Sequence, residues 1–392
     1  STSDRADGIA ISGNAVSDIY FYGIYTYYTD GMVVDNNRVE GFRSTGGYGL
    51  YAFYPDNFSF LENEIYEAGT YGIYISQGNG LSAPSANSEV VNNMIETKAN
   101  GDGMYLSGTD YTNIYHNTSV GEYGIRVFSH NSLDIRNNIF VGTTNYAGYF
   151  SNAFTAGTDS LDYNLYYAPS NNTIYSSGAY TDLAAWQNAQ SDFGANSLEG
   201  DPIFSGPKDL HILGTLPNDA GDNSVNITVD IDGDTRPQAP STTVDIGADE
   251  FTPLQDDAEL LEIIAAGGCG DSTTTVGVVF RNNGLNAISS MPVSATISGG
   301  VSATLNATYT GNLASLGVDT MLVGGYNTYA GANGVNVAAS LNLAADQDNS
   351  NDSLSAGPFD YLPFEAVGFD TTECLSADSA FIRGLSIPGV EY

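Results

Sequence analysis

Basic residues are scarce: ten Lys and Arg stand against forty-six Asp and Glu, for a net charge of −36 over 392 residues. Only Lys98 and Lys208 are lysines. A nucleic-acid-binding surface needs a basic footprint, and this chain has none; an anionic membrane surface repels it for the same reason. No run of ~18 apolar residues exists, so no segment reads as a membrane-spanning helix. There is one Trp and there are two Cys, Cys269 and Cys374, far apart and without CxxC spacing or His neighbours. That makes a poor metal site and leaves either a disulfide or two free thiols. A disulfide closing a loop of ~100 residues contributes about 4–5 kcal/mol in the chain-entropy model. The chain starts at Ser1 with no charged-then-apolar leader, as expected of a mature or trimmed chain whose signal was removed. Few Lys, much Asn, Thr, Ser and Gly, and strong acidity suit an extracellular or cell-surface protein.

What the sequence has in abundance is repetition. An apolar residue, two spacers and Asn recur at Asn14, Asn37, Asn63, Asn93, Asn117, Asn138 and Asn164, with steps of 23, 26, 30, 24, 21 and 26. Interleaved with it is Gly followed by an apolar residue: Gly23-Ile24-Tyr25, Gly49-Leu50-Tyr51, Gly72-Ile73-Tyr74, Gly103-Met104-Tyr105, Gly124-Ile125-Arg126 and Gly148-Tyr149-Phe150. Repeats of this length carrying short alternating runs mean a solenoid of β coils. Gly and Asn suit bends that need left-handed backbone. A recurrent Asn at one bend stacks on the next coil's Asn and satisfies its buried amide. The pattern resembles the right-handed parallel β-helix repeat family; the leucine scaffold of a leucine-rich repeat is missing.

Alternation along each strand places Ile24, Leu50, Ile73, Met104, Ile125 and Tyr149 inward. Tyr25, Tyr51, Tyr74, Tyr105, Arg126 and Phe150 then form an outward ladder. Three readings of it stay open: a stack that stiffens the sheet, a sugar-stacking platform, or a subunit interface.

Residues 1–180 thus read as coils, and residues 181–253 break the repeat. A short amphipathic helix at Thr181-Asp182-Leu183-Ala184-Ala185-Trp186-Gln187 is followed by Asp209-Leu210-His211-Ile212, Asp230-Ile231-Asp232-Gly233-Asp234-Thr235-Arg236-Pro237 and Val244-Asp245-Ile246-Gly247-Ala248-Asp249-Glu250-Phe251. This series resembles the closing segment of secreted bacterial β-helix proteins that end in sorting or anchoring domains. Asp230, Asp232 and Asp234 alternate as in a calcium loop, but an EF-hand needs Gly sixth and Glu twelfth, whereas Gly233 stands fourth and Ser241 twelfth. Arg236 locking onto Asp230, Asp245 or Glu250 is the simpler expectation; calcium is admitted here, and no cofactor is required.

Residues 254–358 alternate in runs near 258–264, 274–284, 291–297, 303–309, 319–323 and 335–343, a β-sandwich pattern. The stretches 278–284 and Asp346-Gln347-Asp348-Asn349-Ser350-Asn351-Asp352 resemble an adhesion-related, immunoglobulin-like domain of bacterial surface proteins. The expected class is therefore all-β: a right-handed parallel β-helix followed by an immunoglobulin-like β-sandwich. Residues 359–392 form a tail that Cys374 would tie back to Cys269. Its Phe381, Ile382, Leu385 and Ile387 offer a strand for another molecule's sheet.

Asp followed by Ser or Thr recurs at Ser160, Ser272, Thr320, Ser353, Thr371 and Ser379, resembling an O-glycosylation sequon of certain secreted bacterial proteins. For catalysis, stacking the coils on the Asn anchor brings up Asp35, Arg38, Glu62, Glu64, His116 and Arg136. Glu62 and His116 share a column two coils apart, Arg38 and Glu64 read as an ion pair, and no residue is assigned a catalytic role. No amphipathic cap precedes Ile9, so head-to-tail stacking of copies is one way to cover that end. The expected function is an extracellular structural or adhesive protein, a candidate filament subunit, with itself or surface glycans as partner. The alternative is a carbohydrate-active β-helix enzyme, lyase or hydrolase, or a glycan-binding module.

Overall fold

The computed structural model describes residues 5–79, 87–170, 172–266, 273–328 and 332–361. The chain divides into two compact units, Ser1–Thr252 and Pro253–Tyr392.

The first unit is a right-handed-type β-solenoid of about seven turns. Each turn contributes strands to three faces. The first face stacks Tyr22–Asp30, Tyr48–Asp56, Tyr71–Ser76, Asp102–Tyr115, Ile125–Arg136, Gly148–Phe150 and Ile174–Ser176 in parallel. The second stacks Ala10–Ser12, Val33–Asp35, Ser59–Leu61 and Ser88–Val91, and joins the first because Asp102–Tyr115 and Ile125–Arg136 run round the corner without a break. Those two strands are therefore longer than the short runs expected. The third face runs from Ala15–Val16 through Glu64–Ala68, Thr118–Gly121 and Ile139–Gly142 to Leu198–Glu199.

Two columns of residues explain the turn. Asn14, Asn37, Asn63, Asn93, Asn117, Asn138 and Asn164 form the expected ladder, each side-chain amide donating to the next coil's Oδ1 at 2.8–3.0 Å. Every amide finds partners, which is what lets a polar side chain sit at the core boundary. The residue before each ladder asparagine takes the left-handed conformation: Gly13, Asn36, Glu62, Asn92, His116, Asn137 and Tyr163. The column shared by Glu62 and His116 is thus a column of bends. The repeated glycines differ from expectation. Gly23, Gly49, Gly72 and Gly103 have no positive φ; a Cβ on Gly72 would meet Ile95 at 2.1 Å and the Gly103 carbonyl at 2.6 Å. They are required by close approach between faces.

The closing segment does more than end the coils. Leu183 and Trp186, on the helix Leu183–Ala189 capped by Asp182, enter the coil core. The chain then runs back along the outside of the third face, where Leu210, Ile212, Ile246 and Ala248 bury Tyr66, Met94, Val120, Ile139, Val141 and Leu165. Asn137 exchanges hydrogen bonds with Asp222, and Ala248 donates to Thr118. Strands Thr118–Gly121 and Ile139–Gly142 are accordingly buried on both sides.

The second unit is a two-layer antiparallel sandwich. One sheet is ordered Ala258–Ala266, Thr273–Asn282, Val318–Asn327; the other Ala303–Tyr309, Met291–Ser298, Ala332–Leu341, Ser353–Tyr361. Val276, Val278 and Phe280 face Val293, Ala295 and Ile297 across one core. The seventh strand, Ser353–Tyr361, continues past the expected end of the sandwich at 358. Cys269, Cys374, and the tail residues Phe381, Ile382, Leu385 and Ile387 lie outside the described residues.

Candidate functional site

The first face of the solenoid is left open, and tyrosines cover it. Backbone register pairs Tyr25 with Tyr51, Tyr51 with Tyr74, Tyr74 with Tyr105, and Tyr105 with Arg126. Ring centroids along the ladder are 5.5, 4.5 and 5.3 Å apart, with planes within 26° of parallel. The next rung is Tyr149, followed by Tyr175 at 4.5 Å and 9°. Phe150, expected outward, points inward and is fully buried. The slip has a local cause: Gly148 pairs with Ile125, so Ala147 holds the place of the repeating glycine and every following side chain changes side. The rings of Phe150 and Tyr166 fill the space Gly148 leaves.

Flanking columns widen the face. Tyr22 stacks on Tyr48 at 5.2 Å, Tyr48 lies 5.6 Å from Tyr71, and Tyr27 stacks on Phe53 at 5.6 Å. Within this surface Arg126 takes the place of a ring. Its guanidinium lies over Tyr123 at 4.5 Å, Tyr105 at 5.2 Å and Tyr149 at 5.8 Å, and bonds the buried Asp102 at 2.8 Å. Burial pushes the Asp102 carboxyl up to about 6, against the pull of Arg126. Burial likewise raises the phenol of Tyr71 to about 12 and that of Tyr51 further. The phenols of Tyr51 and Tyr71 therefore stay neutral donors and acceptors at neutral pH.

The stacking decides what this face can do. Each ring covers the face of the next, so solvent meets ring edges and hydroxyl groups. Tyr22, Tyr25 and Tyr27, on the first rung, are the exposed members of their columns. Stacking on a sugar needs a free ring face; a protein surface can use edges and hydroxyls.

The other expected residues fall elsewhere. Asp230 is buried and spent on backbone donors: Oδ1 accepts from Asp232 and Asp234, Oδ2 from Glu250. Asp234 is exposed, and Asp232 turns to His211 Nε2 at 2.8 Å. Arg236 makes the expected lock, bonding Glu250 at 2.8 Å with both side chains buried. His211 has no triad context in the sequence, yet Asp209 holds its Nδ1 at 2.5 Å. The two carboxylates push its imidazole up to about 11. Single ligand atoms of His211, Asp232 and Asp249 lie within 4.8 Å of one another, and as they stand they form an imidazolium among carboxylates.

Arg38 and Glu64 form the expected pair, shared with Glu40. His116 is fully buried under the closing segment and held neutral by burial. Every described Lys and Arg is committed: Arg5 to Asp56, Arg43 to Asp18, Arg136 to Asp134 and Asp222, Arg281 to Glu259, Lys208 to Glu67, and Lys98 to the Phe42 carbonyl. Ser160, Thr320 and Ser353 are exposed, and Ser353 Oγ lies 2.8 Å from Ser340 Oγ. Ser272, Thr371 and Ser379 lie outside the described residues.

The family model of the right-handed β-helix region matches residues 2–140. No curated protein matches the chain. Among solved structures the chain is similar to a chitinase from Paenibacillus sp. str. FPU-7, described as a cell-surface-expressed multi-modular enzyme machinery. Identity is 9%, the TM-score is 0.21, and the match covers 90% of this chain and 24% of the chitinase. The chain thus spans about a quarter of that protein's length. A likeness this slight carries no argument about activity. No helix among the described residues is long and apolar enough to cross a membrane.

Proposed function

We propose that the chain is an extracellular structural or adhesive element whose working surface is the tyrosine face of the solenoid. The observation that carries this is the stacking itself. An open sheet face lined with parallel rings, presenting edges and hydroxyls, suits contact with protein, including another copy of this chain. The committed state of every described Lys and Arg weighs against a lyase base on the coils. Kinship of the sandwich with immunoglobulin-like adhesion domains belongs to the same reading, as does head-to-tail assembly. In support of assembly, strand Tyr22–Asp30 pairs on its outer side with Ala6–Asp7 only at Thr29 and Asp30, among the described residues. The exposed rings of Tyr22, Tyr25 and Tyr27 stand on the same strand.

The test is negative-stain electron microscopy with sedimentation velocity at rising concentration, on the wild type and on a Tyr25→Ser, Tyr27→Ser variant. Assemblies that the variant loses, with its circular dichroism intact, support the reading. A dispersed monomer that instead binds an insoluble polysaccharide overturns it and favours the glycan-binding alternative.

A further inference from the structure

Three separate stretches of the closing segment meet at one point. His211 stands on strand Asp209–Ile212, Asp232 in the turn that follows Asp230, and Asp249 in the run that ends at Phe251. The backbone fixes their approach. Ile212, the residue after His211, donates to Asp249 Oδ2 at 2.8 Å. Ile231, the residue before Asp232, donates to the Ala248 carbonyl at 3.1 Å, and Glu250 donates to Asp230 Oδ2 at 3.0 Å. Asp209 orients the imidazole, accepting from His211 Nδ1 at 2.5 Å and from its backbone at 3.2 Å. That leaves Nε2 directed at Asp232 Oδ2, 2.8 Å away.

A second observation separates this group from an ordinary surface ion pair. Asp249 is 6% exposed, yet among the described residues only its Oδ2 has a donor, the Ile212 backbone. Asp232 likewise uses Oδ2 alone, on His211, and its side chain is half exposed. The charge is also out of balance. Asp209, Asp232 and Asp249 act on one imidazole, and the charge of Asp230 reaches Asp249 as well. Arg38 and Arg236, whose charges reach the group, are bonded to Glu40 and Glu64 and to Glu250. A buried carboxylate among like charges is costly unless something positive meets it. A proton on His211 supplies one positive charge; at equal distance the same carboxylates attract a doubly charged ion twice as strongly.

We propose that His211 Nε2 and the carboxylates of Asp232 and Asp249 form a binding site for zinc, with Asp209 orienting the imidazole from behind. Imidazole nitrogen with carboxylate oxygen is the donor set of zinc, whereas calcium takes oxygen alone. One ligand atom from each of the three residues lies within 4.8 Å of the others. Zinc holds such atoms at about 2.0–2.2 Å, which spaces them about 3.5 Å apart in a tetrahedron. The half-exposed Asp232 is the member free to turn and close that difference. Three protein ligands leave the fourth position to water. A carboxylate on the far ring nitrogen fixes the tautomer and raises the basicity of the ligating one, which is what Asp209 does to His211. The ion would pin the strand, the turn and the terminal run to one another, tightening the segment that covers the third face. In the metal-free chain a proton on His211 fills that role.

The experiment is calorimetric titration of the full chain with zinc chloride after chelator treatment, repeated with calcium chloride present at equal concentration. His211→Gln removes the nitrogen ligand. Asp232→Asn removes a carboxylate at the exposed position and decides the matter if the first variant fails to fold. Asp348→Asn, in the sandwich, is the control for cations gathered by the net charge of −36 alone. The expected result is saturable binding of one zinc per chain by the wild type, unaltered by calcium and kept by Asp348→Asn. It should fall at least about tenfold in affinity in His211→Gln and Asp232→Asn, since loss of an outer-shell partner alone costs about ten- to a hundredfold. A wild type without saturable zinc binding overturns the proposal. So does Asp232→Asn binding zinc as tightly as wild type, an equal loss in Asp348→Asn, or displacement of zinc by calcium.

Discussion

Asn93 donates to the carbonyls of Phe60 and Val91 and to Asn117, while its own Oδ1 receives the backbone and side-chain nitrogens of Asn63. Replacing it with Ala strands several buried partners at once. Each orphaned group costs about 1–3 kcal/mol, so Asn93→Ala should destabilise the solenoid by roughly 3 kcal/mol or more. Trp186, the one tryptophan, is buried in the coil core, and its fluorescence during denaturant unfolding reads that loss. Gly72→Ala forces a methyl against Ile95 and the Gly103 carbonyl; overpacking of this kind costs about 1–3 kcal/mol and should lower the same transition. The ladder asparagines were readable from the sequence because a buried amide recurring once per coil has one good solution. The glycine column was readable as a pattern, with its cause misassigned: spacing alone does not distinguish a bend from a close approach.

At the scale of elements, the closing segment holds three groups that make the solenoid sensitive to pH. His211 is raised to about 11, so the stability it contributes is present below its ordinary range near 6.5 and is lost as pH rises toward 11. Asp245, raised to about 7, and Asp249, raised to about 6, are pushed up chiefly by burial. The folded form then holds more protons than the unfolded one between about pH 4 and 7, and stability again falls as pH rises. Both effects have one sign, so the Trp186 transition should come at a higher temperature at pH 6 than at pH 9. His211→Gln should flatten the slope above pH 7. A wild type that gains stability from pH 7 to 9 would contradict this assignment. Little of this could be read beforehand. The Arg236 lock was readable in the Asp230 alternation, but the backbone donors of Asp232, Asp234 and Glu250 that occupy Asp230 belong to an irregular path with no repeat to follow. Tyr149 was missed for a related reason, because Ala147 replaces the glycine that marks the register elsewhere.

For the whole molecule, the charge of −36 opposes any approach of two copies. On the tyrosine face that opposition is softened, since Asp102 is paired with Arg126 within it. Association through that face should therefore strengthen as salt screens the remainder, with sedimentation coefficients rising between low salt and about 0.5 M, where the Debye length falls below ~5 Å. Assembly that dissolves on adding salt would point to ion pairs as the contact.

The return path of residues 204–251 across the third face also has a consequence in time. A ribosome or a secretion pore delivers the coils first, and Tyr66, Met94, Ile139 and Leu165 wait uncovered until the last fifth or so of the unit emerges. The half-made protein is thus a sticky intermediate whose own C-terminal strap acts as its chaperone. A fragment ending at residue 200 should be recovered as aggregate, and adding the strap as a separate peptide during refolding should return it to solution.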